Sequence, residues 1–423
     1  MTQSLALLGG QPLRSRPFTR WPIFGKPEEE ALLRTLHSGH WGRLDGQEVA
    51  RFEERFASMH GCRHGAAVVN GTVSLRLSLM AAGLQAEDEV IVPPYTFFST
   101  ASAVVEANMI PVFADIDLET FNLDPQALVA AITPRTRAVI PVHFAGQPAE
   151  MDAINTIAKK QDLLVIEDAA HAHGASYQNR PVGSLADIAS FSYQSSKNLT
   201  CGEGGLITTN DDELAENFRS LGNCGRIPTG VWYEHHVISG NYRLGEFQGA
   251  MLNAQLDRLE AQAATRDANG LYLAERLSSL PGLHPQRRSD ACTRHAYHLF
   301  MLRIDGQTFG APRAVVIEAL RAEGIPCSPG YGYSLPDQPM FRNRAFGPYL
   351  PGVVDRLDYE RTSCPNSDLI CQEQGLWLEH AMLLGPREDM DDIHRAFEKI
   401  HAQRVALTDW SRNRDSAPAR STT

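Results

Sequence analysis

Seven short apolar runs of β-forming residues, at 66–69, 90–93, 110–113, 138–143, 163–166, 188–192 and 206–209, alternate with segments of helical periodicity. This alternation constrains the chain more than any other feature. A strand that is apolar throughout must be covered on both faces, and helices inserted between successive strands do that by building a mostly parallel sheet. The helix predicted after Gly71 places Val73, Leu77, Met80 and Leu84 on one face of a 3.6-residue period. A second starts at Asp124-Pro125, a capping residue followed by proline at the first helical position. A third carries Met151, Ile154 and Ile157. The expected class is α/β with a mostly parallel seven-stranded sheet, and ligands in such sheets sit at the carboxyl ends of the strands.

Around this region the chain divides further. Residues 1–25 read as an irregular N-terminal arm, rich in Pro and Arg and ending at Trp21-Pro22. Helices are expected from Pro27 to Leu36, stopped by Gly39, and from Gln47 to Met59. Residues 26–250 form the expected large domain. A long amphipathic helix over 251–280, carrying Leu252, Leu256, Leu259, Leu271 and Leu277, connects it to a smaller C-terminal α/β domain over 281–407. That domain shows β runs at 297–304 and 376–384, a helix over 312–323 and a last helix over 389–405. Residues 408–423 are polar, with Pro, Ser and Arg, and read as a disordered tail.

At 423 residues the chain is long enough for more than one core, and its net charge of −11 disfavours a nucleic-acid or anionic-membrane surface. The seven cysteines are scattered, with no CxxC pair, which fits free thiols in a reducing compartment. The N-terminus offers an apolar run only from Leu5 to Leu8 with no basic residue before it, neither a signal peptide nor a membrane span. A cytoplasmic protein is expected.

The stretch Ser190–Gly205, SFSYQSSKNLTCGEGG, lies between two β runs and holds one basic residue, Lys197, among Ser, Asn, Thr and Gly. Desolvated in a pocket, such a lysine loses proton affinity and becomes able to form a Schiff base with an aldehyde. Taken alone it is more often a solvent-facing charge. Val69-Asn70-Gly71-Thr72 is a strand, a turn and a helix start, where unpaired N–H groups and the Thr72 hydroxyl make a phosphate seat or merely an ordinary cap. Phe97, in PPYTFFST, follows the next strand and is either core or a stacking surface for a flat ring. Asp168 ends the buried strand IEDAAH, and a carboxylate at that depth needs a partner. His171 and His173 suggest metal, but no third ligand lies close in sequence, and hydrogen bonding is the better reading. Phosphate seat, aromatic, buried acid and lone lysine converge on a phosphorylated pyridine aldehyde, pyridoxal 5'-phosphate, for which a Schiff-base lysine and an acid at the pyridinium nitrogen recur.

The motifs NGTVSL, PPYTFFST, PVHFAG, EDAAHAHGA, SFSYQSSKNLTCGEGG and GNYRLGEFQGA together resemble the DegT/StrS sugar aminotransferases, fold-type I pyridoxal-phosphate enzymes, across nearly the whole chain. The resemblance implies that Lys197 carries the cofactor covalently, Asp168 pairs with the ring nitrogen, His171 lies beside the ring and Phe97 stacks on it. It further implies that Gly71, Thr72, Ser192 and Gln194 hold the phosphate or ring oxygen, and that Asn241 reaches the phosphate from the neighbouring subunit of a homodimer. The LALLGGQP arm, Gln194, and CPNSD followed by WLEH resemble the branch containing scyllo-inosose aminotransferases and 3-amino-5-hydroxybenzoate synthases, with Glu379 standing where that branch carries histidine and Tyr193 preceding Gln194.

The leading expectation is amino transfer from glutamine or glutamate to a keto-cyclitol or keto-sugar in antibiotic biosynthesis. The rivals are a 3-amino-5-hydroxybenzoate synthase-like dehydratase, a nucleotide-sugar aminotransferase, and a ligand sensor without turnover. Arg43, Tyr95, His143 and Tyr242 are candidate substrate contacts.

Overall fold

The computed structural model describes residues 4–347, 349 and 351–415. The seven expected strands form one sheet: β1 (His64–Val68), β2 (Glu89–Val92), β3 (Ile110–Phe113), β4 (Thr136–Val139), β5 (Leu164–Asp168), β6 (Ile188–Ser192) and β7 (Gly205–Thr209). Their order is β1-β7-β6-β5-β4-β2-β3. Neighbours from β6 through β3 run parallel, and β7 alone runs against both its neighbours. β2, β6 and β7 are buried along their whole length, which is why they read as unbroken apolar or small-residue runs.

The expected helices cover this sheet. The one over Lys26–Ser38 ends where Gly39 takes a φ of 73°, a left-handed stop that suits glycine. The helix Pro125–Ala131 starts on Asp124, whose carboxylate accepts from the N–H of Gln126. The helix Gly71–Ala81 differs from its expected stripe. Leu75, Leu77 and Leu79 are all buried while Val73 and Met80 are only half-buried, and Leu84 lies beyond its end. It is wedged between β6 and β7 on one side and the helices Ser99–Glu106 and Asp212–Gly222 on the other. No single face could serve so many neighbours. Each leucine so buried contributes about 1.5–3 kcal/mol.

A helix from Glu246 to Leu277 leaves this layer and leads to a second hydrophobic cluster built on Leu273, Leu277, Phe300, Leu302, Leu376 and Leu378. There a three-stranded antiparallel sheet pairs β8 (Leu283–Pro285), β9 (Leu299–Ile304) and β10 (Gly375–Glu379) in that order. The N-terminal arm packs against this region. Leu5 is fully buried in the cluster, and buried Arg14 pairs with Asp389 at 2.8 Å and Asp392 at 2.6 Å. The expected disordered tail is corrected through residue 415: Arg404–Asp415 is a helix anchored by fully buried Leu407, while 416–423 lie outside the described residues. Among the described residues no helix is long and apolar enough to cross a membrane, and none of the seven cysteines is in a disulfide.

Candidate active site

The pleat of β5 sorts its two terminal acids. Glu167 points to one face, where the N–H groups of Gly183, Leu185 and Ala186 and the Nε2 of His143 saturate it. Asp168 points to the other face, at the carboxyl end of the strand, into a cavity of about 920 Å³. Thr100 donates to its Oδ2 at 2.8 Å and the N–H of Ala170 donates to its Oδ1 at 3.2 Å. Burial still pushes Asp168 above the ordinary carboxylate range, against the pull of those bonds and of Lys197.

Lys197 enters the same cavity from the loop after β6, the parallel neighbour of β5. The loop is tied to itself. The N–H of Lys197 donates to the carbonyl of Gln194 at 2.9 Å, and the Gln194 side chain accepts from the Ser196 N–H at 2.8 Å. Burial pulls the ammonium down to about 8, opposed by Asp168. Burial thus works against the charge of both groups, leaving a carboxyl of raised proton affinity and an amine of lowered proton affinity facing one space.

At the far wall the helix Gly71–Ala81 presents its N-terminus. Asn70 caps it by accepting from the Val73 N–H at 2.8 Å, leaving the N–H groups of Gly71 and Thr72 at the open end. The hydroxyls of Thr72 and Ser99 bond each other at 2.7 Å beside it. Gly71 packs so closely on β6 that a Cβ there would stand 2.7 Å from the Cβ of Ser192. Phe97, His171, Ser192 and Gln194 line the same cavity. Burial, and next the charge of Lys197, hold His171 far below its usual proton affinity, and its Nδ1 has no partner among the described residues.

The structure therefore brings together Gly71, Thr72, Phe97, Asp168, His171, Ser192, Gln194 and Lys197. Asn241 is not among them: it lies exposed on a loop, bridged to Asn223. The four candidate substrate contacts do not line the cavity within this chain. Arg43 pairs with Glu53, Tyr242 accepts from Arg76, buried Tyr95 accepts from Trp377, and His143 serves Glu167 from behind the sheet. Tyr193 is fully buried against Phe52 and Phe56 and leaves the cavity untouched. Cys201 is held as a thiol by burial.

Sequence reasoning missed Thr100, Trp21, His298 and His380. Thr100 was visible inside PPYTFFST, one helical turn after Thr96. Trp21 donates to the carbonyl of Ser195 and His380 Nε2 meets the carbonyl of Ser196, each at 3.0 Å, so the arm and the C-terminal region both grip the backbone just before Lys197. The rings of His171 and His298 lie 4.2 Å apart. His171 and His173 belong to no metal-binding group among the described residues.

The model of the DegT/DnrJ/EryC1/StrS aminotransferase family matches residues 23–397. The chain belongs to this family. It is 38% identical over 428 residues to an L-glutamine:2-deoxy-scyllo-inosose aminotransferase of Streptoalloteichus tenebrarius, covering 95% of this chain and 98% of the relative. It is 37% identical over 375 residues to the 3-amino-5-hydroxybenzoate synthase of Amycolatopsis mediterranei, covering 88% and 94%. Among solved structures it superposes on a 3-amino-5-hydroxybenzoic acid synthase with a TM-score of 0.81 at 35% identity, over 93% of this chain and 100% of that one. This family member is an aminotransferase that uses pyridoxal phosphate.

Proposed function

We propose that the enzyme transfers an amino group from L-glutamine to a keto-cyclitol of the scyllo-inosose kind, in the biosynthesis of an aminated natural product. The observation that carries this is the convergence of Asp168, Lys197 and the Gly71–Thr72 helix start on one cavity, in a chain whose relative of 98% coverage is named for that reaction. The cavity suits the cofactor: a carboxylate for a ring N–H, an amine for an aldehyde, and hydroxyls with a helix N-terminus for a phosphate.

Pyridoxal phosphate supplies an aldehyde to carry nitrogen and a ring that accepts the electron pair left by a departing proton. The residues of the chain do the rest. The Asp168 carboxylate would hold the proton on the ring nitrogen. Lys197 would hold the cofactor through its amine, and the same amine is placed to move the proton at the carbon bearing the substrate nitrogen. Gly71, Thr72, Ser192 and Gln194 would hold the phosphate or ring oxygen, and His171 and Phe97 would supply contacts to the ring.

Asn241 completes the seat from a second copy, so the active form is a homodimer with two composite sites. Its neighbours support this: Trp232 is 76% exposed and Ile238 is 99% exposed, an apolar surface of the kind that is covered in an assembly. The protein works in the cytoplasm.

Product analysis tests the reading. Amino transfer consumes one glutamine per aminocyclitol formed. Loss of water from the acceptor with no glutamine consumed would assign the chain to the dehydratase reaction instead, and turnover of nucleotide keto-sugars alone would overturn the cyclitol.

A further inference from the structure

β9 begins at Leu299, and the residue before it, His298, follows a sharp bend in the backbone. Tyr297 makes that bend with a φ of 45°, a strained conformation for an aromatic residue, and such conformations concentrate at working sites. Just past it the His298 ring lies 4.2 Å from that of His171 and 5.7 Å from that of His380. It lines the cavity that Lys197 and Asp168 share.

Hydrogen bonds fix which nitrogen of this ring carries the proton. Asn198, the buried residue after Lys197, donates its Nδ2 to the carbonyl of Ala296 at 2.8 Å, and a carbonyl can only accept. The amide oxygen is thereby turned to His298, whose Nδ1 lies 3.2 Å from it and must supply the hydrogen. Burial, ahead of the charges around it, holds the ring far below its ordinary proton affinity, so it carries one proton only. Nε2 is left as a bare lone pair with no hydrogen-bond partner among the described residues, and the cavity is the space it opens on.

A lone pair at this place finds a partner in one substrate and not in the other. Both substrates react at a carbon that Lys197 must reach, so the groups near His298 are those on the atoms next to that carbon. In glutamine these are a carboxylate, which has no hydrogen to give, and a methylene. In a keto-cyclitol one of them is a hydroxyl, which has. We infer that Nε2 of His298 accepts the hydrogen of the hydroxyl on the carbon beside the acceptor's ketone, and so selects ketones that carry one there. This rests on the aminotransferase reading above and assigns its acceptor a contact in the chain. A ketone without that hydroxyl leaves a buried lone pair unpaired, which is how a polar site rejects it.

The test uses the holoenzyme and two ketones: 2-deoxy-scyllo-inosose, which carries a hydroxyl on one carbon beside its ketone, and its analogue lacking that hydroxyl. The wild type is expected to favour the hydroxyl ketone by about tenfold or more in kcat/KM, the size of a hydrogen bond whose loss leaves a buried acceptor unpaired. His298→Phe should lower that ratio about tenfold, and His298→Gln, whose amide oxygen can stand in for Nε2, should keep more of it. A wild type without the preference, or a ratio that does not move in His298→Phe, overturns the inference. So does an equal loss on both ketones, which would make His298 structural. Nitrogen-15 spectra of the imidazoles, with this ring assigned by its absence in His298→Gln, should show the proton on Nδ1. The opposite tautomer overturns the inference whether or not His298→Phe folds. Failure of glutamine to discharge the visible cofactor band in the wild type is a different result, and removes the aminotransferase reading itself.

Discussion

Thr100 donates its hydroxyl to Oδ2 of Asp168 across 2.8 Å, inside a pocket where burial drives that carboxyl toward its neutral form. The bond favours the charged form, so its loss raises the proton affinity of Asp168 further. In Thr100→Val the acid limb of the glutamine half-reaction is expected to move up by about one pH unit, the equivalent of a hydrogen bond to a charged group. A pH profile of the half-reaction reads this directly, and an unshifted limb would show that Asp168 does not need its charge.

Lys197 gives a second pH signature, in the apoenzyme. Burial lowers its folded-state value to about 8, below the unfolded value of 10.5. Between these values the unfolded chain binds more protons, so this group's penalty is complete below pH 8 and fades as pH rises toward 10.5. Lys197→Met should therefore stabilise the apoenzyme at pH 7 by about 3 kcal/mol at most, with the gain shrinking toward pH 10. Thermal unfolding of both proteins across that range checks the sign.

The close approach of Gly71 to Ser192 predicts a steric effect on cofactor retention. A methyl group at Gly71 would meet the Ser192 Cβ at 2.7 Å and push the helix start away from the end of β6. Gly71→Ala is expected to weaken pyridoxal phosphate binding at least about tenfold while costing about 1–3 kcal/mol of stability. Adding Ser192→Gly removes the colliding Cβ and should recover stability before it recovers affinity, since a hydroxyl has gone with it. Equilibrium dialysis and thermal melts separate the two effects.

Arg14 offers a prediction far from the chemistry. Its guanidinium is almost wholly buried between Asp389 and Asp392. Arg14→Met leaves Asp389 nearly buried with only the exposed Arg16 beside it, and should cost about 3–5 kcal/mol in urea unfolding. A smaller loss would mean that the arm adds little to the C-terminal core.

What could be read from the chain follows from what is local. Asp168, Lys197 and Gly71–Thr72 each sit at the end of an apolar strand, and parallel strands carry their ends to one side. Tyr95 and His143 sit at strand ends too, yet serve the fold, because the pleat and the turn after it decide which way a side chain points. Glu167 and Asp168 are adjacent in sequence and face opposite sides of the sheet. Trp21 and His380 were illegible for another reason: each reaches the lysine loop across more than 170 residues. The helix Arg404–Asp415 was hidden by its polar composition, although one buried leucine and a packed tryptophan hold it to the C-terminal core.

Attachment of the cofactor to Lys197 is the step on which the proposed activity depends. The most direct measurement is borohydride reduction of the holoenzyme, followed by proteolysis and mass spectrometry. The prediction is one reduced pyridoxyl phosphate adduct per chain, on the peptide containing Lys197, with the visible band bleached in step. An adduct on another lysine, or a visible band and adduct that persist in Lys197→Ala, would contradict it.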